Sequence, residues 1–139
     1  MIALTSNLPS RTESDDYPWD DLVISILAVN QYSLERTYNS LEGLQQAGIT
    51  DPLTLARSDA PQIEAKLRAA GCDRGSFMTR LFSERLAALG VLIRTTGVSE
   101  CEKVITGRNA KEIENLLQPV KGIGPVVLRN FYVLRQIPH

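Results

Sequence analysis

The sequence predicts an all-α fold, a compact bundle of six to eight short helices, from three observations. Apolar residues recur at spacings of three and four along most of the chain. Several of these stretches begin at Ser, Asp or Asn, often with proline in the following turn, which is typical of helix starts. No two segments combine the alternation and the turn residues of a β-hairpin. With 139 residues, of which 43% are hydrophobic and 22% charged, the chain can bury a core of its own.

Two parts of the chain differ in composition. Residues 1–17 are polar and rich in acidic side chains, so we expect a flexible acidic arm that ends by docking Tyr17 and Trp19. Residues 18–139 are expected to form a single helical domain. The paired carboxylates at Asp20 and Asp21 could bind a divalent cation, but capping of a helix N-terminus is the simpler interpretation.

Each predicted helix has an apolar stripe bounded by a capping residue or a helix breaker. In order, the predicted helices are the buried run 22–29 capped by Asp20 or Asp21, a helix from Ser33 to Gly48, a short helix opened by Asp51-Pro52, a helix from Asp59 to Gly71, a long helix from Ser76 to Thr96, a short one around Glu100–Ile105, a helix over Ala110–Leu117 capped by Asn109, and a last helix from Pro125 to about Gln136.

The turn before the last helix is the most informative segment. In the sequence Lys121-Gly122-Ile123-Gly124-Pro125, two glycines permit a tight turn and Ile123 can plug into the core. Amides of this turn and of the next helix start lack intrahelical acceptors, so they are expected to point outward. Such a helix–hairpin–helix element would hold a backbone phosphate without reading a base, with Lys121, Arg129 and Arg135 adding charge. The alternative is a glycine-rich turn that only packs.

Charge is distributed unevenly along the chain. Residues 66–99 contain six basic and two acidic residues, and residues 118–139 contain three basic residues and no acidic one. Most of the acidic residues lie before residue 66. A polyanionic partner is therefore expected to meet the second half of the chain. The alternative is a set of solvated basic helix faces without a ligand.

The turn motif and the order of the predicted helices resemble those of a known family. Leu117–Leu128 resembles the helix–hairpin–helix of the endonuclease III-like (HhH-GPD) DNA glycosylases, and Pro18–Gln31 resembles their first helix and the polar loop after it. Residues 18–137 are similar, in helix order, to the six-helix domain of those enzymes. The resemblance implies that Gly122, Ile123, Gly124 and the amides leading into Pro125 hold DNA, with a possible monovalent cation at the hairpin. It also implies that Asn30 or Gln31 fills the gap left by an extruded base, unless these residues are only a polar helix end.

The sequence departs from the family at the catalytic positions. Val126 occupies the position of the lysine of bifunctional members, and a valine cannot form a Schiff base. The chain ends at His139, before the family's aspartate would appear, and the second domain has no counterpart. We therefore predict a sequence-nonspecific DNA-binding protein without catalysis. The alternatives are an active glycosylase completed by another chain or an atypical residue, and a helical protein-interaction module whose hairpin is structural.

Cysteine and histidine usage bears on cofactors and compartment. Cys72 and Cys101 are far apart without a CxxC pattern, and His139 is the single histidine, so iron–sulfur, haem and most zinc sites are not expected. The cysteines are interpreted as reduced, partly buried thiols of a cytoplasmic protein. No apolar run is long enough to span a membrane, so no membrane partner is expected, whereas a protein partner is possible.

Overall fold

A computed structural model of the chain describes residues 17–29 and 33–139. Over these residues the chain forms nine α-helices and no β-strand, which confirms the all-α prediction. The predicted number of six to eight helices is too low. The helices of the described residues are α1 (Pro18–Leu27), α2 (Leu34–Tyr38), α3 (Leu41–Gln46), α4 (Pro52–Arg57), α5 (Ala60–Ala69), α6 (Ser76–Thr96), α7 (Val98–Ile105), α8 (Ala110–Leu117) and α9 (Pro125–Arg135).

The predicted helix from Ser33 to Gly48 is in fact two helices, α2 and α3. Ser33 caps α2 as predicted, and its hydroxyl accepts a hydrogen bond from the Arg36 amide at 3.1 Å. The break falls at Asn39-Ser40, two residues whose side chains compete for backbone hydrogen bonds and therefore disfavour a helix interior. Gly43 then lets α3 approach the end of α5, because an added Cβ would lie 2.6 Å from the Ala70 carbonyl oxygen.

Helix α1 begins earlier than predicted, at Pro18. Its N-cap, Tyr17, makes no side-chain capping bond, and Asp20 and Asp21 lie inside the helix in buried positions. The prediction that Asp20 or Asp21 caps this helix is therefore wrong. Tertiary partners accommodate the two carboxylates instead: Gln45 donates to Asp20 at 2.9 Å, and Arg135 forms an ion pair with Asp21 at 3.2 Å. Every residue of α1 is buried, as the apolar run predicts.

The long helix α6 has the predicted bounds and organises one side of the domain. Its stripe of Phe82, Leu86, Leu89 and Ile93 is buried, and α4 and α5 pack against it. Gly90 allows this contact, since an added Cβ would collide with the carbonyl of Leu55. An adjoining apolar stripe of α6, formed by Phe77, Leu81, Ala88 and Leu92, is only partly buried.

Helix α9 packs on α1 and completes the core. The buried side-chain amide of Asn130 donates to the carbonyl oxygens of Ser25, at 3.3 Å, and of Ala28, at 2.8 Å. These bonds satisfy carbonyl groups at the C-terminal end of α1, which have no partner within the helix. Helix α8 packs chiefly on α7, so the two helices flanking the final turn each rest on a different neighbour.

The start of the described chain is also attached to the domain. The Tyr17 hydroxyl donates to the carbonyl oxygen of Thr50 at 2.9 Å, and the buried Trp19 indole donates to Glu102 at 2.6 Å. The remainder of the predicted N-terminal arm, residues 1–16, lies outside the described residues. Within the described ranges, no helix is both long enough and apolar enough to span a lipid bilayer.

Candidate nucleic-acid interface

The turn of residues 118–124 joins α8 to α9 and has a buried underside. Val120 and Ile123 are both buried in the core, which confirms the prediction that Ile123 acts as a plug. The Ile123 amide donates to the Val120 carbonyl oxygen at 3.1 Å. This amide is therefore not an outward donor, and the prediction that the amides of the turn point outward is wrong for Ile123. Closing the turn requires this bond, because a buried amide without a partner is costly.

The two glycines of the turn have different roles. Gly122 has φ +90°, a left-handed conformation that glycine adopts without the strain of a Cβ. Gly124 is extended, with φ −116° and ψ −165°, and a Cβ added there would meet no atom within 4 Å. The turn therefore needs glycine only at position 122. At position 124, glycine leaves open space above the start of α9.

Two backbone amides at the start of α9 have no hydrogen-bond acceptor in the described chain. The amides of Gly124 and Val126 donate to no acceptor among the residues that the structure describes, and Pro125 between them has no N–H. Val126 is 47% exposed. The first hydrogen bond of the helix runs from the Leu128 amide to the Gly124 carbonyl oxygen, at 3.1 Å. The Val127 amide likewise has no acceptor in the described chain, so three free amides and the positive end of a helix dipole lie at the start of α9.

Two predicted cations lie beside the turn. Lys121 and Arg129 are both exposed, and neither forms an ion pair with a residue in the described part of the chain. Lys121 immediately precedes the turn glycines, and Arg129 follows Pro125 by one helical turn. Both side chains are therefore available to an anion at the start of α9.

A third cation, Arg85, was not among the predicted site residues. Its side chain lies over Gly122, because a Cβ added to that glycine would be 2.5 Å from the Cγ, Cδ and Nε atoms of Arg85. The Arg85 guanidinium also lies 5.9 Å from the centre of the Phe82 ring, which favours a cation. Only the basic character of residues 66–99 indicated this position, since no local pattern links α6 to a turn so much later in the chain.

Arg135 does not belong to this surface. Its guanidinium forms the ion pair with Asp21, and the two side chains are only 10% and 2% exposed. The expectation that Arg135 adds charge to the hairpin is therefore wrong. The physical reason is distance along α9: ten residues after Pro125 correspond to about 15 Å of helix, which carries Arg135 to the far end beside α1.

The other predicted site residues, Asn30 and Gln31, lie outside the described residues. The structure does describe where α1 ends just before them. There, Arg74 donates to the Leu27 carbonyl oxygen and Asn130 donates to that of Ala28. Side chains from α9 and from the segment before α6 thus meet at the end of α1.

The described residues give little support to a reactive cysteine or a metal site. Cys72 and Cys101 are both buried and form no disulfide. Burial, with a smaller effect of Glu100 and Glu102, raises the pKa of the Cys101 thiol, so this thiol is a poor nucleophile at neutral pH. No group of three or more His, Cys, Asp or Glu residues within 17–29 and 33–139 is placed to hold a metal ion.

Comparisons of the chain with protein-family models, with curated protein sequences and with solved structures find no match.

Proposed function

We propose that this protein binds the sugar-phosphate backbone of DNA without sequence preference, through the hairpin of Lys121, Gly122, Ile123, Gly124 and Pro125. One observation carries the proposal. The amides of Gly124 and Val126 lack acceptors in the described chain at the start of an eleven-residue helix, and a Cβ built at Gly124 meets no atom within 4 Å. Amides in this arrangement are suited to an anionic oxygen, and the helix dipole adds to the attraction.

The surroundings of these amides favour a polyanion over a single small anion. Lys121 comes four residues before Pro125 and Arg129 four residues after it, both exposed, and the Arg85 side chain lies beside Gly122. One phosphate at the amides would leave these cations to neutralise its neighbours along a strand. A lone anion would use only part of this surface.

Contacts of this kind would not discriminate between bases. The groups that surround the helix start are backbone amides, two flexible cations and the apolar Val126. Sequence readout requires side chains that bind base edges, whereas phosphate contacts set position without specifying sequence. Weak affinity with little sequence preference follows from this set of groups.

A monovalent cation, implied by the family resemblance, could assist at the turn. The carbonyl oxygens of Lys121, Gly122 and Ile123 accept no backbone hydrogen bond from a described residue. They are therefore suitable ligands for such an ion, which would add positive charge beside the phosphate. The amides and the cationic side chains provide the binding in this proposal.

The proposed activity is binding without base excision. Val126 stands at the exposed position where the resembling enzymes carry a lysine, and its side chain has no amine for covalent catalysis. In this proposal, the protein shares with the endonuclease III-like DNA glycosylases the way the DNA backbone is bound, and it does not share their base excision.

The test measures fluorescence anisotropy of a labelled blunt duplex at several salt concentrations. If the hairpin holds one phosphate and Lys121 and Arg129 neutralise neighbours, the log–log salt slope is about −2 to −3. Gly124→Asp should abolish binding because a carboxylate would stand beside the anion site. Gly124→Ala is the matched control, since its methyl group meets no atom within 4 Å and its backbone is extended.

One outcome separates this function from the protein-interaction alternative. Tight binding by a well-folded Gly124→Asp variant would show that the hairpin is structural, and the protein-interaction function would replace DNA binding. Unchanged far-ultraviolet circular dichroism and cooperative unfolding establish that the variant is folded.

A further inference from the structure

Phe77 is 77% exposed, more than any other large apolar side chain of the described residues. It lies in the first turn of α6, whereas Phe82 on the same helix is almost completely buried. Packing within the described chain therefore gives no reason for an aromatic residue at position 77. A single exposed apolar side chain is common on protein surfaces, so its setting decides whether it has a role.

The segment before Phe77 holds it in a defined position. Asp73 accepts a hydrogen bond from the Gly75 amide at 3.1 Å and forms an ion pair with Arg68 at 2.8 Å. The Arg74 amide donates to the Thr79 hydroxyl at 2.8 Å. These bonds tie the turn to the start of α6, so the Phe77 ring is presented from a constrained backbone.

The charge around Phe77 is slightly positive, because residues 73–85 contain Arg74, Arg80 and Arg85 against Asp73 and Glu84, a net charge of +1. Arg80 follows it by one helical turn, is exposed, and forms no ion pair with any residue that the structure describes. Asp73, the nearest acidic residue in the chain, is already paired with Arg68. An exposed aromatic ring among cations is typical of surfaces that bind single-stranded nucleic acid, where the ring stacks on a base and the cations meet phosphates.

Helix α6 links Phe77 to the hairpin. Arg85, whose side chain lies beside Gly122, comes eight residues after Phe77 on the same helix, a separation of about 12 Å along the axis. This length corresponds to about three or four nucleotide steps of a stacked strand. One strand could therefore reach both the hairpin and the ring.

We propose that Phe77 stacks on an unpaired base, so that the preferred ligand is DNA in which single-stranded nucleotides adjoin a duplex. This inference rests on the proposed backbone binding at the hairpin and specifies the class of DNA. The hairpin holds the duplex backbone, and Phe77 contacts a base of the adjoining single strand. Because every base has a π-face, this contact adds affinity without sequence preference.

The experiment compares a blunt duplex with the same duplex carrying a tail of about eight thymidines, within the usual range of single-strand site sizes. Fluorescence anisotropy at one fixed salt concentration gives both affinities. The parent protein should bind the tailed duplex about tenfold to 100-fold more tightly, the range expected for loss of one stacked aromatic. Phe77→Ala should remove this preference and leave the affinity for the blunt duplex unchanged.

Two further variants test the nature of the contact. Phe77→Trp retains a π-face and should keep the preference for the tail. Phe77→Leu retains apolar surface without a π-face and should lose most of the preference. Since the ring is exposed, all three variants should unfold at the parent's temperature, and this measurement is the control for folding.

Several results would overturn the inference. A tail preference that survives Phe77→Ala or is fully kept by Phe77→Leu excludes stacking. Salt-dependent, Gly124-sensitive binding of blunt duplex without any tail preference removes this inference and leaves the proposed function intact. If the protein binds none of these DNAs, both the proposed function and this inference are wrong. If Phe77→Ala changes only the sedimentation behaviour of the protein, Phe77 is a contact between copies of the chain and not a DNA contact.

Discussion

The side chain of Arg85 lies over the backbone of Gly122, with three of its atoms 2.5 Å from the position that a Cβ of residue 122 would occupy. This contact joins the middle of α6 to the turn between α8 and α9. It occupies the space that a Cβ of Gly122 would need, whereas a Cβ built at Gly124 meets no atom within 4 Å. The two glycines should therefore respond differently to the same substitution.

Gly122→Ala should lower the free energy of unfolding by about 1 to 2 kcal/mol, because the left-handed backbone strains any residue with a Cβ. Part of this loss of stability arises because the new methyl group displaces the Arg85 side chain. The double variant Gly122→Ala with Arg85→Ala should therefore lose less stability than the two single changes added together. Gly124→Ala, in extended backbone and open space, should change the free energy by less than about 0.5 kcal/mol. Urea denaturation measures all of these variants. Equal destabilisation at positions 122 and 124 would contradict this account of the turn.

Arg129→Ala should reduce the salt slope of duplex binding by about one unit without changing the relative affinity for different sequences, because one phosphate contact is lost. Arg135→Ala is the matched control on the same helix. Its guanidinium is held by Asp21 and is not available to DNA, so the slope should stay at the parent's value. A reduced slope for Arg135→Ala, with Arg129→Ala unchanged, would assign the DNA contact to the other end of α9.

Arg135→Ala should instead destabilise the fold, by about 3 kcal/mol, because it removes the partner of a buried carboxylate. Arg129→Ala, which removes an exposed charge, should change the free energy of unfolding by less than about 0.5 kcal/mol. Chemical denaturation at neutral pH gives both values. Similar stabilities for the two variants would mean that the Asp21–Arg135 pair does not support the packing of α9 on α1.

Tyr132→Phe should reduce the loss of stability at alkaline pH. Burial, and then the Glu114 carboxylate, raise the pKa of Tyr132 above its ordinary value of 10.0. The folded state therefore holds this proton more tightly than the unfolded state. The resulting stability is complete below pH 10.0 and is lost as pH rises through the higher folded value.

The variant lacks this titration, so its free energy of unfolding should fall less steeply above pH 10.0. At neutral pH it should lose about 1 kcal/mol, since the hydroxyl no longer donates to the Ala110 carbonyl oxygen at 3.0 Å. Denaturation curves between neutral and alkaline pH measure both effects. Tyr17, whose pKa is also raised by burial, should contribute a remaining alkaline loss. If the free energy of unfolding of the variant falls as steeply above pH 10.0 as that of the parent, Tyr132 is not the group whose titration causes the alkaline loss of stability.

The purified protein should neither release oxidised or alkylated bases from duplex DNA nor be trapped on abasic DNA by borohydride. General catalysis needs a positioned carboxylate or amine, and Val126 offers neither. Single-turnover assays and gel analysis after reduction are the measurements. Base release that a single Asp or Glu substitution abolishes would favour the alternative of an active glycosylase.

The starts of α4, α5 and α8 were predictable because their signals are local. Asp51, Asp59 and Asn109 each accept a hydrogen bond from an amide two or three residues later, as their sequence contexts indicate. The bounds of α6 and the buried position of Ile123 were equally accessible, since apolar spacing and glycine placement act over a few residues. For the same reason the hairpin and its flanking cations could be chosen as the candidate site.

The predictions that were wrong or incomplete depend on contacts between residues that are far apart in the sequence. Asp21 lies inside α1 and pairs with Arg135 of α9, and this contact removes Arg135 from the candidate site. Arg85 lies beside that site because the fold brings α6 close to Gly122. Capping and apolar periodicity are properties of neighbouring residues, so they can be read along the chain. Which charges pair and which remain exposed depends on how the helices pack, and that packing brings together side chains whose separation in sequence carries no signal.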